Sequence, residues 1–216
     1  MKTKKDAKTE VVEGMRARKG RQTRERIANT AMALFLERGF DGVTVDEIAA
    51  TADVSKRSFF DYFSTKEDVV FAWQDEFGPA LAAAVRARPA EEPLAVVVEK
   101  ALTASVAAAV QAHPDSVAIE GLVRKTPVLR ARDHVKYAAI EQALAEALME
   151  RVNDERGRFR ARMLAVIVIG GLRIASEQWY AQGRSDPAES YTREIFQMTW
   201  DDLREFGRTA LKSKKR

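Results

Sequence analysis

Apolar residues recur at three- and four-residue intervals along most of the chain, which is the spacing of helices with one buried face. Between the N-terminal residues and the last few, this pattern can be divided into about nine helical segments. No segment shows the alternation of apolar and polar residues that is typical of a half-buried strand. The pattern therefore predicts an all-α fold of about nine helices.

The strongest local signals lie in the stretch TVDEIAATADVSKRSFFDYFSTKE, residues 44–67. Thr44 and Glu47 have the spacing of a capping box, which predicts that a helix begins after Thr44. Asp53 and Val54 follow as a turn, and Ser55 is a good cap for a second helix. This stretch therefore predicts two short helices joined by a tight turn.

The second of these helices has two chemically different faces. Phe59 and Phe63 are four residues apart, so both can anchor one face in a core. The other face carries Lys56, Arg57, Ser58 and Phe60, with Tyr62 at its edge. Such a helix-turn-helix can place its second helix in the major groove, where lysine, arginine and serine bond base edges and an aromatic ring contacts a thymine methyl. On shape alone, a helical hairpin with solvated charges explains the pattern equally well.

A third helix is predicted to begin with a capping box at Ser64 and Glu67. Its apolar face continues through Val69 and Phe77, so we expect one long helix that runs to Pro79 or beyond. Such a helix would leave the small domain and enter a larger one. It would be a mechanical link between them.

The residue string 44–67 resembles the signature of the TetR family of bacterial transcriptional regulators, T-[VI]-x-x-IA-x-x-AGVS-x-x-[ST]-[LF]-Y-x-[YH]-F-x-x-K-E. The resemblance covers roughly residues 20–70 and departs from the signature at two positions. Asp53 replaces the usual turn glycine, and because aspartate tolerates a left-handed backbone better than most residues, we expect the turn to form at some cost in stability. Phe60 replaces the usual tyrosine and removes a hydroxyl that could meet DNA.

The resemblance implies a ligand-controlled regulator, usually a repressor, that binds an inverted-repeat operator as a homodimer and has no enzymatic activity. For base edges we assign Lys56, Arg57 and Ser58, with Phe60 for apolar contact; for phosphates we assign Thr44, Ser55, Tyr62 and Lys66. The rival interpretation is a helical lipid- or protein-binding module without DNA activity, which leaves the 44–67 signature unexplained. Catalysis finds no support, because the two histidines, His113 and His134, lie in no recognisable catalytic or metal motif.

Four regions follow from these assignments. Residues 1–20 are lysine- and arginine-rich without apolar periodicity and predict a disordered basic arm, which either contacts DNA phosphates or only aids solubility. Residues 21–68 form the DNA-binding domain. Residues 69–210 form a helical domain for effector binding and dimerisation, and residues 211–216 are a basic tail.

The resemblance assigns dimerisation to the last two helices, roughly 158–182 and 187–209. Apolar residues occur nearly all round the first of them, so several of its sides must be covered, as in half of an intermolecular four-helix bundle. A helix buried inside a monomer is the alternative. Gly170 and Gly171 in this helix permit the close approach of a backbone or leave space beside a ligand.

The candidates for an effector pocket are apolar residues of the central helices. They are Trp73, Phe77, Leu102, Val106, Leu122, Tyr137, Ile140, Met163, Ile167 and Gly170, although each of them also fits an ordinary core. The stretch after Ser58 resembles the subgroup of TetR-type regulators with an acyl-CoA-like ligand-binding domain, which implies a long apolar effector with a polar or anionic head. A basic cluster, Arg124, Lys125, Arg130, Arg132 and Lys136, could meet phosphates or simply be solvated.

Composition adds three limits. The 216 residues include no cysteine, so disulfides and thiolate metal sites are excluded, and we expect neither a metal nor a cofactor. The formal charge of +4 favours an anionic partner such as DNA. The longest apolar run, residues 163–172, is too short to span a bilayer, and the N-terminus lacks an apolar segment, so we expect a cytoplasmic protein without membrane contact.

Overall fold

The computed structural model describes residues 14–72, 74–182 and 187–213, with the side chains of 74, 117, 189 and 206–213 left out. Within these ranges there are ten α-helices, one 3-10 turn and no strand, so the predicted all-α fold is confirmed. The chain divides into two compact units, residues 1–70 and 71–216.

The first unit is built from three helices and the start of a fourth. They are α1 (Met15–Arg38), α2 (Val45–Thr51), α3 (Lys56–Tyr62) and α4 (Lys66–Phe71). Their buried apolar side chains form a small core that includes Ile27, Ala31, Phe35, Phe40, Val43, Ile48, Phe59, Phe63 and Val69.

Helix α1 begins earlier than the sequence indicated. Residues 15–20 were expected to belong to a disordered arm, but they form the first turns of α1. Arginine, alanine and lysine in this segment are good helix formers, and adding residues to an existing helix costs far less than nucleating one. Apolar periodicity is therefore not needed there. The rest of the predicted arm, residues 1–13, lies outside the described residues.

The long connecting helix expected from Ser64 to Pro79 is interrupted. Helix α4 ends at Phe71, a 3-10 turn covers Gln74–Glu76, and a new helix, α5, begins at Phe77. Pro79 explains the interruption, because in a continuous helix its ring would clash with the carbonyl group of Asp75. In the first turn of α5, by contrast, N–H groups have no acceptor within the helix, so the lack of an N–H at Pro79 breaks no hydrogen bond. This interruption accounts for ten helices where about nine were expected.

The second unit contains the six remaining helices. They are α5 (Phe77–Arg86), α6 (Leu94–Ala112), α7 (Ser116–Lys125), α8 (Pro127–Met149), α9 (Glu155–Ala181) and α10 (Ala188–Ser213). Helix α8 packs against α5 and α9, and α10 packs against α6 and α9. The core between them includes Leu81, Val97, Val98, Leu102, Tyr137, Ile140, Leu144, Leu148, Val168, Ile169 and Phe196. The first residues of the predicted basic tail, 211–213, belong to α10, and 214–216 lie beyond the described part.

A glycine sets the close packing of α5 on α8. A Cβ atom at Gly78 would lie 3.5 Å from the Cβ of Ala143 and 3.6 Å from the Cα of Ile140. These are ordinary van der Waals distances for one methyl group, so any larger side chain would push the helices apart. Gly78 thereby keeps the neighbouring Phe77 near α8.

The loop between α5 and α6 is held by one carboxylate. Glu92 accepts hydrogen bonds from Nε of Arg88, at 2.7 Å, and from Nζ of Lys100, at 2.9 Å. These cations hold the pKa of Glu92 down at about 2. The carboxylate connects the end of one helix to the side of the next.

One described helix, α6, is long and apolar enough by length and composition to cross a membrane. Core helices of soluble proteins also meet this criterion. Val97, Val98, Ala101 and Leu102 of α6 are indeed buried against the other helices of the second unit. Its apolar residues are not one uninterrupted run, because Glu99 and Lys100 lie among them, so the longest apolar run in the sequence is elsewhere.

Candidate nucleic-acid interface and ligand cleft

Helix α2 begins with the predicted capping box. The backbone N–H of Glu47 donates to Oγ1 of Thr44 at 3.3 Å, and the backbone N–H of Thr44 donates to the Glu47 carboxylate at 2.8 Å. The bond that the carboxylate accepts from the Thr44 N–H, together with one from the Thr44 hydroxyl, holds the pKa of Glu47 below its usual value. The Thr44 hydroxyl also donates to this carboxylate, at 2.8 Å. Because its single O–H is already used, a phosphate contact by Thr44 would require that bond to break.

The turn between α2 and α3 forms with the departure from the family signature in place. Asp53 has φ of 52° and is the only non-glycine residue at positive φ in the described part of the chain. The following N–H, of Val54, donates to the carbonyl of Ala49 at 3.0 Å and closes the turn. The expected left-handed backbone at Asp53 is therefore confirmed.

Helix α3 is capped at its start and anchored along its inner face. Oγ of Ser55 accepts a hydrogen bond from the backbone N–H of Ser58 at 3.0 Å, and the two serine hydroxyls are 2.9 Å apart. Phe59 and Phe63 are buried, with ring centroids 5.8 Å apart. The cap fixes where α3 begins and the two rings fix its rotation, so the direction of its outer side chains is determined.

The outer face of α3 carries three of the predicted base-contact residues. Lys56 and Arg57 are exposed, and Phe60 keeps 48% of its surface accessible. Nζ of Lys56 lies 2.9 Å from a carboxylate oxygen of Asp46 in α2. Arg57 makes no hydrogen bond or ion pair within the described ranges, so its five donors are available. Ser58 is only half-exposed, and its hydroxyl lies 2.9 Å from that of Ser55.

Two predicted phosphate contacts, Lys66 and Tyr62, are partly buried against other parts of the first unit. Nζ of Lys66 donates to the carbonyls of Phe40 and Val43, both at 3.0 Å, and lies 4.3 Å from the centroid of the Phe40 ring. Its cation therefore ties the start of α4 to the loop between α1 and α2. Tyr62 is half-buried, and its hydroxyl lies close to Gly20 in α1. Lys66 points inward, towards carbonyls of a loop that lie outside any helix.

The capping box of α4 is shifted by one residue from the prediction. The box is formed by Thr65 and Asp68 rather than by Ser64 and Glu67. The backbone N–H of Thr65 donates to the Asp68 carboxylate at 2.9 Å, and the backbone N–H of Asp68 donates to Oγ1 of Thr65 at 3.3 Å. Both Ser64 with Glu67 and Thr65 with Asp68 fit the capping pattern. The sequence thus permitted two registers.

The second unit contains a cleft of about 890 Å³, part of which is open to solvent. Four predicted pocket residues line it: Phe77, Val106, Tyr137 and Ile140. Leu102 and Ile167 line a smaller neighbouring cavity of about 340 Å³. Leu122, Met163 and Gly170, which were also predicted, line neither of these two spaces. Met163 is 45% exposed on the outer side of α9, a direction that spacing alone did not reveal. Trp73 lies outside the described residues.

Polar residues that the sequence analysis did not assign also line this cleft. These residues, which include aromatic side chains with a polar group, are Ser116, Glu120, Ser176, Trp179, Tyr180, Tyr191 and Thr192. Ser116 and Glu120 are both buried, on one face of α7. A signal was present, since Ser116, Glu120 and Val123 follow the four- and three-residue spacing of a buried face.

Charged side chains form a largely buried network at one end of the cleft. Nζ of Lys136 lies 2.5 Å from Asp133 and 3.9 Å from Glu120, and the guanidinium of Arg124 lies 3.5 Å from Glu120. Burial raises the pKa of the Glu120 carboxyl above its usual value, although the nearby cations act in the opposite direction. Burial also raises the pKa of the Tyr137 hydroxyl.

The predicted basic cluster does not form a single cationic surface. Arg124 and Arg130 line a separate polar cleft of about 1080 Å³, together with Glu120, Asp133 and Glu177. Lys136 lines the first cleft, and Lys125 is exposed on its own side of α7. Arg132 forms contacts within the protein. Carboxylates therefore accompany the cations, which disfavours this cluster as a phosphate site.

Comparisons with known proteins place both units. Residues 27–73 match the family model of bacterial regulatory proteins of the tetR family, and residues 92–200, about half of the chain, match that of the MftR C-terminal domain. A curated relative, the HTH-type transcriptional regulator TcmR of Streptomyces glaucescens, is 30% identical over 180 residues, 80% of each chain. The expected acyl-CoA-like subgroup is not the one whose domain model matches here.

Solved structures show the same fold. The fatty acid degradation regulator FadR from Bacillus halodurans superposes with a TM-score of 0.57 at 18% identity, over 87% of this chain and 96% of that one. NalD of Pseudomonas aeruginosa, the secondary repressor of the MexAB-OprM efflux pump, gives 0.51 at 17% identity, over 85% and 96%. From the two family matches and the relationship to TcmR, the chain belongs to the TetR family of DNA-binding transcriptional regulators.

Proposed function

We propose that the protein is a homodimeric repressor which reads an inverted-repeat operator through α3 and is released by a small effector that enters the cleft of the second unit. The observation that supports it most directly is the outer face of α3, where Lys56, Arg57 and Phe60 are exposed while Phe59 and Phe63 are buried. Operator DNA also implies a cytoplasmic location. Lys56 and Arg57 contact base edges in this proposal, and Phe60 contacts a thymine methyl.

A gel shift with DNA from upstream of the protein's own gene tests the DNA-binding part. Arg57→Ala should cost about 1–3 kcal/mol and relax specificity at one base position, because a bidentate arginine contact distinguishes guanine from the other bases. Lys125→Ala, an exposed charge in the second unit, is the matched control and should bind like the parent. No binding, or binding that is insensitive to salt, would favour the helical lipid- or protein-binding module instead.

The homodimer is supported by an apolar stripe on α9. Phe159, Met163, Val166 and Ile174 are 65%, 45%, 47% and 49% exposed, and their spacing of four, three and eight residues puts them on one side of the helix. Gly170 lies in the same row, and a Cβ atom added there would meet no other atom within 4 Å, so a partner backbone could approach closely. Exposed apolar rows of this kind mark protein interfaces.

Charge substitutions test this interface. Val166→Glu should convert the dimer to a monomer in sedimentation velocity and abolish binding to a two-half-site operator, because burying an unpaired carboxylate is costly. Val135→Glu makes the same change at an exposed position of α8, outside the row, and should stay dimeric. In a dimer the two α3 helices should fit successive major grooves about 34–36 Å apart. Footprinting of a single half-site by a monomer would contradict the arrangement.

An effector can weaken operator binding only if it binds one conformation of the protein better than another. A tenfold loss of operator affinity requires about 1.4 kcal/mol of such coupling. The cleft that Phe77, Tyr137 and Ile140 line is concave and mostly apolar with a few polar groups, as sites for small molecules are. Titration with medium- and long-chain acyl-CoAs, with operator affinity as the readout, tests the effector class that the sequence suggested.

A further inference from the structure

The charges in the wall of the 890 Å³ cleft compensate one another. Lys136 is held at 2.5 Å by Asp133, and Glu120 faces both Lys136, at 3.9 Å, and Arg124, at 3.5 Å. Two carboxylates therefore meet two cations. A charged ligand would lose its hydration without finding an uncompensated partner, and transfer of an unpaired charge from water into such a site is costly.

Two hydrogen-bonding groups of the same wall are unpaired. They are Oγ of Ser116 and Nε1 of Trp179, which are buried without a hydrogen-bond partner among the described residues. Ser116 as a whole is only 5% exposed. Most buried polar atoms in proteins do have partners. The Thr192 hydroxyl in this wall, for example, donates to the carbonyl of Ala188 at 2.7 Å. Because an indole N–H can only donate, the missing partner of Trp179 is an acceptor.

The rest of the wall is suited to a ring system. Five aromatic residues line the cleft, namely Phe77, Tyr137, Trp179, Tyr180 and Tyr191. The rings of Trp179 and Tyr180 pack edge to face, with centroids 4.9 Å apart and planes at 88°. Aromatic faces and edges of this kind contact a flat apolar molecule with favourable offset or edge-to-face geometry.

We infer that the effector is an uncharged, ring-bearing apolar molecule with a carbonyl-type acceptor, which accepts hydrogen bonds from Nε1 of Trp179 and from the Ser116 hydroxyl. The inference rests on the proposed function in that it names the class of effector for the same cleft. The inferred effector is uncharged, whereas the sequence suggested an effector with a polar or anionic head. Among the residues that line this cleft, Lys136 is already engaged by a carboxylate, whereas the unpaired Ser116 and Trp179 groups are neutral.

A pair of probe molecules that differ only in the acceptor tests the inference. By isothermal titration calorimetry of the full chain without DNA, 2-acetylnaphthalene should bind about three- to tenfold more tightly than 2-ethylnaphthalene, since one net hydrogen bond contributes about 0.5–1.5 kcal/mol. Trp179→Phe keeps an aromatic ring but removes the N–H, so the preference for the acetyl compound should shrink towards one. Ser116→Ala should reduce it as well. Trp200→Phe, which alters only the neighbouring smaller cavity, is the control and should keep the preference.

Charged analogues complete the experiment. The anion 2-naphthoate and the cation of 2-(aminomethyl)naphthalene should both bind at least about tenfold more weakly than the acetyl compound. Equal affinity for the acetyl and ethyl compounds, tighter binding of either charged analogue, or no binding of any probe would overturn the inference. A gel shift of the ligand-free protein is measured in parallel, so a failure of the DNA-binding proposal is seen separately from a failure of the effector class.

Discussion

Nζ of Lys56, at the start of α3, lies 2.9 Å from Oδ2 of Asp46, in the first turn of α2. Both side chains are more than half exposed, so water screens the pair and its contribution to stability is small. Its importance lies elsewhere. When α3 enters a major groove, Lys56 must exchange this carboxylate for a base or phosphate, and Asp46 brings a negative charge towards the DNA.

Asp46→Asn should therefore raise operator affinity. We expect a gain of about two- to fivefold at low salt, which corresponds to a surface ion pair of less than about 1 kcal/mol. The substitution also removes a negative charge that stabilises the N-terminus of α2, so the free energy of unfolding should fall slightly. Fluorescence anisotropy with labelled operator measures the affinity. The control is Asp201→Asn, which removes an exposed carboxylate in the second unit and should leave operator affinity unchanged. If Asp46→Asn also left operator affinity unchanged, DNA binding would not require Lys56 to leave Asp46.

The turn at Asp53 offers a change in stability without a change in contacts. Asp53→Gly should raise the free energy of unfolding by about 0.5–1 kcal/mol, because relief of the left-handed strain, about 1–2 kcal/mol, exceeds the extra chain entropy of glycine, about 0.5–1 kcal/mol. Urea unfolding followed by circular dichroism measures it. Asp53→Ala keeps the strain and loses the polar side chain, and it should be less stable than the parent. A glycine variant that is no more stable than the alanine variant would contradict this account.

Lys66 should behave as a structural residue. Lys66→Met removes the donor to the carbonyls of Phe40 and Val43, and we expect the free energy of unfolding to fall by about 1–3 kcal/mol, the cost of leaving such groups unsatisfied. If Lys66 instead contacted a phosphate, as assigned from the sequence, its removal would weaken binding to all DNA sequences similarly. Lys56→Met, an exposed lysine of the same unit, is the control for stability. Normal stability of Lys66→Met with uniformly weaker DNA binding would restore the phosphate assignment.

The Glu92 cluster predicts a dependence of stability on acid. The pKa of Glu92 is lowered from its ordinary value of 4.5 to about 2 in the folded chain. The ionised carboxylate therefore stabilises the fold above the unfolded-state pKa, and this stabilisation disappears as the pH falls from about 4.5 towards 2. Glu92→Gln should flatten the fall in melting temperature across that window, whereas Glu91→Gln, at the adjacent exposed residue, should follow the parent curve. Parallel curves for Glu92→Gln and the parent would exclude the cluster as a source of acid sensitivity.

The DNA-binding unit could be predicted from the sequence because its signals are local. Thr44 with Glu47, the turn at Asp53, and Phe59 with Phe63 each act within a few residues, and the structure has all of them. Local signals fail where two are equivalent, as with the caps at Ser64 and Thr65. They also fail where a partner is distant in sequence: Lys66 bonds to residues 26 and 23 positions earlier, which no spacing rule indicates.

The ligand cleft was predictable only in part for the same reason. Phe77, Tyr137 and Ile140 are apolar on inward faces, and their periodicity marked them. Met163 has the same periodicity but lies on the outer row of α9, because that helix has apolar residues on more than one side. Glu120 and Trp179 were not predicted to line the cleft. A sequence does not show whether a buried polar side chain lies against a cavity or against another residue that bonds to it.

The position of Trp179 gives the protein a built-in optical signal. An indole in the wall of the cleft changes its emission when a molecule displaces water beside it, whereas Trp200 faces the neighbouring smaller cavity. Small-molecule libraries can therefore be screened by intrinsic fluorescence, with no label and no knowledge of the operator. The Trp179→Phe variant then serves as the blank that separates true occupants of the cleft from compounds that merely quench.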